Sequence, residues 1–189
     1  LDYAIRESPL FEPGARFDYS NSNIVLLGLV IEQVSGNSLN DLYQAGLFEP
    51  LGIENTFSPG IDPELPDPHP QGFTLQGLTE HPQTATNATY WNPSWSWATG
   101  DLVATLDDLL TFGRALGTGQ GLLGPEAQTV RLTSFPNPLG YGIALGCVDG
   151  WIGHGGSEPG FTTTLFYDTT SDTTVAVQAN SDILSGDCG

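Results

Sequence analysis

A tyrosine, a serine and an asparagine stand together at residues 19–21, immediately before an apolar stretch with helical period. A phenol can transfer a proton, and a side-chain amide can hold a polar substrate group by hydrogen bonds. The same residue types also suit a structural role, because Ser and Asn commonly cap helices. Tyr19 and Asn21 are therefore candidate catalytic residues, and a helix start is the alternative.

A second candidate group is the glycine-rich run around His154, which comes before a β-branched and aromatic run. Glycines allow a ligand to approach the backbone closely, and an unpaired strand edge can lend its N–H groups to a substrate. His154 is therefore a candidate catalytic residue, and Gly155, Gly156 and Ser157 are candidate substrate-binding residues. A glycine-rich hairpin with a surface histidine is the alternative.

Three tryptophans close a long stretch, 59–93, that is rich in Pro, Thr and Asn. Such a long irregular segment is often functional when it is ordered inside a compact domain. Trp95 is a candidate wall of a substrate pocket, although an aromatic residue can equally anchor a loop to the core.

The charge balance narrows the classes of partner. Four Arg and no Lys face 22 acidic residues, which gives a net charge of −18. Phosphate binding needs clustered cations, so neither nucleic acid nor an anionic membrane surface is an expected partner. The acidic excess favours solubility, for example in a salty or extracytoplasmic setting.

Metal binding and membrane insertion are not expected either. His69 and His81 lie in Pro-flanked loops, where solvated side chains are expected, and no His-x-x-x-His or Cys-x-x-Cys spacing occurs. We therefore expect no metal and no cofactor. No run approaches the roughly 18–20 apolar residues that a membrane span needs.

The two cysteines, Cys147 and Cys188, lie in the last quarter of the chain. One disulfide in a secreted or extracytoplasmic protein suits such a pair. Two unrelated buried thiols are the alternative, because a bond requires the two Cα atoms to lie within about 7 Å.

Helical period appears in three places. Ser22 or Asn23 can cap a helix that Gly36 stops, and Ser38 can cap a second helix that Pro50 ends. The third prediction is a helix over 105–116, which begins with a capping-box-like pair and ends at Gly117.

After residue 140 the period becomes strand-like. The runs 141–147, 162–167 and 174–179 predict strands, and the turn-rich segment 168–172 predicts a hairpin between the last two. The fold class is therefore α+β, with a helical subdomain and an antiparallel sheet on which helix 105–116 lies.

Taken in order, four segments resemble the serine β-lactamase and penicillin-binding-protein superfamily, in its class C β-lactamase and D-alanyl-D-alanine carboxypeptidase branch. They are residues 17–36, 49–56, 95–109, and 140–143 together with 153–161. Tyr-x-Asn at 19–21 resembles the second motif of that branch, and His-Gly-Gly at 154–156 resembles the third.

The resemblance implies part of a β-lactamase/transpeptidase-like fold. Residues 1–97 would be part of the helical subdomain with a long loop, and residues 98–189 the C-terminal part of the α/β domain. It also implies acyl transfer through an acyl-serine, as in a carboxypeptidase, a β-lactamase-like enzyme or an esterase. His154 stands where β-lactamases usually have Lys, which favours carboxypeptidases, esterases and related peptidases.

The first motif, Ser-x-x-Lys, cannot be present because the chain has no Lys. In the family that motif lies upstream of Tyr-x-Asn. We therefore expect a missing N-terminal segment to carry the nucleophile and this chain alone to be inactive.

The resemblance also implies individual roles. Tyr19 would shuttle a proton, Asn21 would hold the substrate amide or the Lys, and His154 would stabilise a phenolate or polarise a substrate carboxylate. The N–H of Ser157 would be an oxyanion donor, and Trp95 would line the cleft.

The substrate class stays open among stem peptides, β-lactams, D-amino-acid peptides and esters. A non-catalytic homologue that serves as a binding or regulatory module is the first alternative. A β-rich carbohydrate-binding module is the second, suggested by the tryptophans and the acidity.

Overall fold

The computed structural model describes residues 4–77, 84–133 and 140–184. Within these ranges the helices are α1 (Asn21–Ser35), α2 (Leu39–Tyr43), α3 (Glu49–Leu51), α4 (Leu106–Thr118) and α5 (Pro125–Leu132). A π-helical turn (Gln44–Phe48) joins α2 to α3, and short 3₁₀ turns lie at Ala4–Arg6, Pro93–Trp95 and Trp97–Thr99. The strands are β1 (Phe73–Thr74), β2 (Thr86–Asn87), β3 (Gly146–Val148), β4 (Trp151–Glu158), β5 (Phe161–Asp168) and β6 (Thr173–Ala179).

The larger sheet is antiparallel, in the order β3-β4-β5-β6. The hairpin predicted between the last two strands is confirmed, because β5 pairs with β6 from Thr162↔Ala179 to Asp168↔Thr173. Strands β1 and β2 form a separate two-stranded antiparallel pair. The long stretch 59–93 is otherwise irregular in its described part, as its composition predicts.

Helix α4 covers one face of the sheet, as predicted. The Thr105 hydroxyl caps it by accepting a hydrogen bond from the Asp108 backbone N–H at 3.3 Å. Leu116, Leu145 and Ile152 form a buried core between helix and sheet. The predicted end at Gly117 is wrong: the helix continues to Thr118, because Gly117 is a packing residue against β5 and not a cap.

Helix α1 confirms the apolar helix that Gly36 stops. Gly36 has φ 71°, a left-handed conformation that suits glycine at a helix end. The predicted cap is wrong by two or three residues, since Ser20 holds the extended backbone of a cap and Ser22 is already helical.

The second predicted helix is confirmed at its start and wrong at its end. The Ser38 hydroxyl accepts a hydrogen bond from the Asp41 N–H at 3.1 Å. Pro50 does not end the helical path, because its fixed φ is compatible with the first turn of α3, which continues from the π-helical turn. Gly52 ends it instead, with φ 65°.

Two features of the C-terminal half differ from the predictions. The run 141–147 is a strand only from Gly146, because a tight turn precedes it: the Gly142 N–H donates to the Leu145 carbonyl at 2.8 Å, with Ala144 at φ 55°. Helix α5 was not predicted at all, since its eight residues carry little apolar periodicity.

The segment after α3 is tied to the start of α4. The buried Asp108 carboxylate accepts hydrogen bonds from the Asn55 N–H and the Thr56 hydroxyl, both at 2.8 Å. The Asp101 carboxylate accepts one from the Ser58 hydroxyl at 2.7 Å.

The predicted division of the chain into two parts between residues 97 and 98 stays a prediction. No helix in the described ranges is long and apolar enough to cross a membrane.

Candidate active site

The fold brings Tyr19 and His154 together from distant parts of the sequence. Tyr19 lies just before α1, and His154 lies in the middle of β4, opposite Leu165 of β5. Their ring centroids are 6.1 Å apart, with ring planes 27° from parallel. The two side chains predicted to be catalytic therefore border the same site.

A second tyrosine, Tyr141, completes the group. Its hydroxyl lies 2.7 Å from His154 Nε2, and its ring meets the Tyr19 ring edge-on with centroids 6.0 Å apart. Phe17 packs on Tyr141 with centroids 5.0 Å apart. Tyr141 was not among the predicted site residues, although it lies in a segment that resembles the family.

The two phenols have different environments. Tyr19 is 54% exposed and open to a substrate. Tyr141 is half-buried, and this burial raises its pKa, which a negative charge on Tyr19 raises further. Tyr141 is therefore neutral at ordinary pH and available as a hydrogen-bond donor.

Within the described residues, the glycine-rich run lies on an edge of the larger sheet that no other strand covers. Strand β3 pairs only with Trp151–Gly153, so among the described strands β5 is the sole partner of the rest of β4. Gly155, Gly156 and Ser157 are all exposed. Backbone N–H groups at such an edge can bind a substrate or an oxyanion.

Asn21 and Trp95 are placed less closely. Asn21 is the first residue of α1 and is exposed, and within the described residues its side chain makes no hydrogen bond. Trp95 ends the 3₁₀ turn Pro93–Trp95 and is 63% exposed. Across the described ranges no ring contact joins Trp95 to Tyr19 or His154, so its part in the pocket stays a prediction.

The remaining cysteine and histidine predictions have separate outcomes. Cys147 is half-buried in β3, but Cys188 and His81 lie outside the described residues, so the disulfide stays a prediction. His69 was expected in solvent, and this is wrong: its side chain is 13% exposed, with Nε2 2.9 Å from the Tyr90 hydroxyl.

A cavity of about 240 Å³ lies beside α1 and α2, lined in part by Glu32, Tyr43, Trp97 and Asp101. It includes none of Tyr19, Tyr141 and His154. Burial, together with the charges of Asp101 and Glu32, raises the pKa of Tyr43, so the phenol there is neutral. The side chains predicted to be catalytic therefore lie at the edge of β4 and not in this cavity.

Glu158, at the end of β4, was also not among the predicted site residues. Burial and the charge of Asp101 raise its pKa to about 7. Its carboxylate lies close to Gly100, where an added Cβ would be 2.8 Å from Oε1. The fold thus favours the protonated form of a carboxylic acid two residues after the glycine pair.

This raised pKa predicts a pH-dependent stability. The folded protein binds the Glu158 proton more tightly than the unfolded chain does, so the contribution is fully present below about pH 4.5 and is lost as pH rises through about 7. We expect Glu158→Gln to raise Tm at pH 8 by on the order of 2 °C, and to change it little at pH 5.

Thermal unfolding of both proteins by circular dichroism at several pH values measures this. The exposed Glu54→Gln serves as the matched control and is expected to show no such crossover. A constant Tm difference between Glu158→Gln and the unsubstituted protein from pH 5 to 8 would contradict the assignment.

Comparisons with known proteins identify the family to which this chain belongs. The sequence model of the family described as Beta-lactamase matches residues 1–187. The mouse serine beta-lactamase-like protein LACTB, mitochondrial, is 27% identical over 147 residues, which is 70% of this chain and 26% of the relative. A putative D-alanyl-D-alanine carboxypeptidase of Escherichia coli O157:H7 is 31% identical over 93 residues, which is 46% of this chain and 21% of the relative.

A solved structure is also similar to this chain. The D-stereospecific amidohydrolase from Streptomyces sp. superposes with a TM-score of 0.84 and 28% identity, covering 96% of this chain and 55% of that one. The chain thus spans about half of that structure and about a quarter of the curated relatives. The predicted fold class is confirmed as a partial β-lactamase/transpeptidase-like fold, and the chain belongs to the beta-lactamase family.

Proposed function

We propose that this chain is the C-terminal part of a serine hydrolase that works by acyl-serine transfer, with Tyr19 as the proton-transfer group. The observation that carries the proposal is the meeting of Tyr19 and His154 beside the free edge of β4. A phenol, an imidazole and exposed backbone N–H groups are the parts that acyl transfer needs besides a nucleophile.

In the proposed reaction, a serine hydroxyl from an upstream segment attacks the carbonyl carbon of the substrate. Tyr19 accepts the serine proton and gives it to the leaving group, and the acyl-serine forms as the leaving group departs. Water then attacks the ester under the same proton transfer, which releases the acid and regenerates the serine. The Ser157 N–H and the neighbouring strand edge would bind the oxyanion.

Tyr19 can accept a proton only as a phenolate, and that form needs a positive charge nearby. A phenol has a reference pKa near 10, so nearby cations must favour the phenolate at neutral pH. The chain has no Lys. When protonated, His154 would be a cation beside Tyr19. A lysine from the same upstream segment would supply the larger effect, and Asn21 at the start of α1 would hold that lysine or the substrate amide.

Exposed apolar side chains on α1 and β6 favour the presence of an additional segment that covers them. Along α1 one series of side chains at helical spacing is exposed, with Leu26 53%, Val30 49% and Val34 82%. On β6, Val175 and Val177 are 42% and 55% exposed. A stable protein normally covers apolar patches of this kind, and in this proposal the segment that carries the nucleophile does so.

The substrates that suit this site are small acyl compounds or peptides with a carbonyl at the reacting centre. The relatives named above include a carboxypeptidase and a D-stereospecific amidohydrolase, and His154 in place of a lysine favours peptides, amides and esters over β-lactams. A secreted or extracytoplasmic location is part of the proposal, in keeping with the acidic surface.

Covalent labelling of the complete protein, including the residues encoded before Leu1, tests this function. We expect a fluorophosphonate or a labelled penicillin to attach to one upstream serine that is followed three residues later by lysine, and peptide mass spectrometry to locate the adduct. Heat-denatured protein is the control and should not react.

If the folded complete protein takes up no label under conditions that label another serine hydrolase, the chain belongs to a non-catalytic homologue. Retention on a polysaccharide column together with no labelling would favour the carbohydrate-binding alternative instead.

A further inference from the structure

We propose that Tyr141 is a positioning residue of this site, because its hydroxyl is hydrogen-bonded to His154 Nε2. His154 then acts on Tyr19 through its charge and not through a free ring nitrogen. The proposal rests on the proposed function only in its consequence for catalysis. The hydrogen-bond arrangement itself can be tested without any activity.

Both ring nitrogens of His154 are engaged. Nδ1 contacts the carbonyl oxygen of Gly155, and Nε2 lies 2.7 Å from the Tyr141 hydroxyl. A carbonyl oxygen can only accept a hydrogen bond, so Nδ1 must carry a proton. In the neutral ring Nε2 is then the acceptor, and Tyr141 is the donor.

The donor role fits the environment of Tyr141. Burial and the proximity of Tyr19 raise its pKa, so the hydroxyl keeps its proton. When His154 is protonated, the same pair reverses, and Nε2–H donates to the phenol oxygen. The pair therefore remains bonded in both protonation states of His154.

The backbone around Tyr141 is fixed on both sides. The Cys147 N–H donates to the Gly140 carbonyl at 2.6 Å, and the Gly142 N–H donates to the Leu145 carbonyl at 2.8 Å. The Ile143 N–H donates to the Arg131 carbonyl at 2.9 Å, which ties the turn to α5. Tyr141 is thus presented by a constrained turn, and this suits a residue whose function is to hold another side chain.

This arrangement changes the role that the family resemblance implied for His154. With no free ring nitrogen, His154 cannot donate directly to a substrate carboxylate while Tyr141 is in place. Its ring is held 6.1 Å from that of Tyr19, a distance at which an imidazolium favours the phenolate by charge. The Gly155 carbonyl fixes the tautomer of the neutral ring, and Tyr141 holds the ring in this orientation.

Nitrogen NMR of ¹⁵N-histidine-labelled complete protein tests the proposal, with His154→Gln used to assign the signals. In the unsubstituted protein we expect neutral His154 to be the Nδ1–H tautomer. In Tyr141→Phe we expect the Nε2 signal of His154 to move and its titration midpoint to change.

The chain offers a matched control. His69 Nε2 lies 2.9 Å from the Tyr90 hydroxyl, and its Nδ1 lies 3.3 Å from the Pro66 carbonyl oxygen, so a tyrosine and a carbonyl contact a different histidine as well. Unlike His154, His69 has a second Nε2 partner, the Gln71 side-chain amide at 3.3 Å. Tyr90→Phe should move the His69 signals and leave those of His154 unchanged. Tyr141→Phe should do the reverse.

In the same proteins, kcat/KM for an acyl substrate should fall roughly tenfold in Tyr141→Phe and remain near normal in Tyr90→Phe, because one lost hydrogen bond is worth about that factor. A His154 spectrum and pH profile unchanged by Tyr141→Phe would overturn the proposal, even if the protein is a hydrolase. An Nε2–H tautomer in the unsubstituted protein would overturn it without any variant. Changed His154 signals in a protein with no acyl transfer would uphold the positioning role and overturn the proposed function alone.

Discussion

Tyr19→Phe is expected to reduce acylation of the complete protein by roughly 10²- to 10⁴-fold, the usual contribution of a positioned acid–base group. The substitution removes one oxygen from a side chain that is 54% exposed, so little packing is lost. Burst-phase kinetics with an activated ester would measure the acylation step separately from deacylation.

Tyr90→Phe is the matched control for Tyr19→Phe, since Tyr90 is 46% exposed and lies outside the group at the edge of β4. Its acylation rate should be near that of the unsubstituted protein. Near-normal acylation by Tyr19→Phe, with an unchanged Tm, would remove Tyr19 from the proton-transfer role. A large loss in both variants would point instead to a general sensitivity of the fold.

Gly117→Ala is expected to lower the free energy of unfolding by about 2 kcal/mol, the middle of the range for overpacked cores. A Cβ at this position would lie 2.1 Å from Cδ1 of Tyr167 on β5. Because Tyr167 is itself 4% exposed, the ring has no open space to enter, and α4 must move away from the sheet. Tm should fall by roughly 4–8 °C.

Gly46→Ala is the control for this prediction. Gly46 is also helical, but no atom lies within 4 Å of an added Cβ there. Alanine has the higher helix propensity, so this variant should be as stable as the unsubstituted protein or more stable, by up to about 1 kcal/mol. If chemical denaturation shows that both substitutions stabilise, Gly117 does not set the separation of α4 from the sheet.

The two glycines of α4 also explain why the predicted end of that helix was wrong. In a sequence, a glycine after an apolar periodic run has the appearance of a helix end. Gly113 and Gly117 instead face Leu165 and Tyr167 of β5, where a larger side chain would collide. The identity of the facing residues depends on how helix and sheet pack, and no local pattern contains that information.

Local sequence patterns predicted a helix end or a hairpin correctly where the interaction that determines it lies among neighbouring residues. The caps at Ser38 and Thr105 and the stop at Gly36 are each set by residues within one helical turn, and all three are confirmed. The β5–β6 hairpin is set by alternation on both sides of a turn. The ordered set of motifs likewise sufficed to predict the family, because it samples many such local elements along the chain.

Tertiary structure decided which residues join Tyr19 and His154 in the site. Tyr141 is 13 residues from His154 in sequence, and only the turn before β3 places its hydroxyl on Nε2. The raised pKa of Glu158 depends on burial and on Asp101, which approaches from a different segment. Hydrogen-bond partners and local charge require the distances between segments, whereas residue types and their spacing report only what each segment can do by itself.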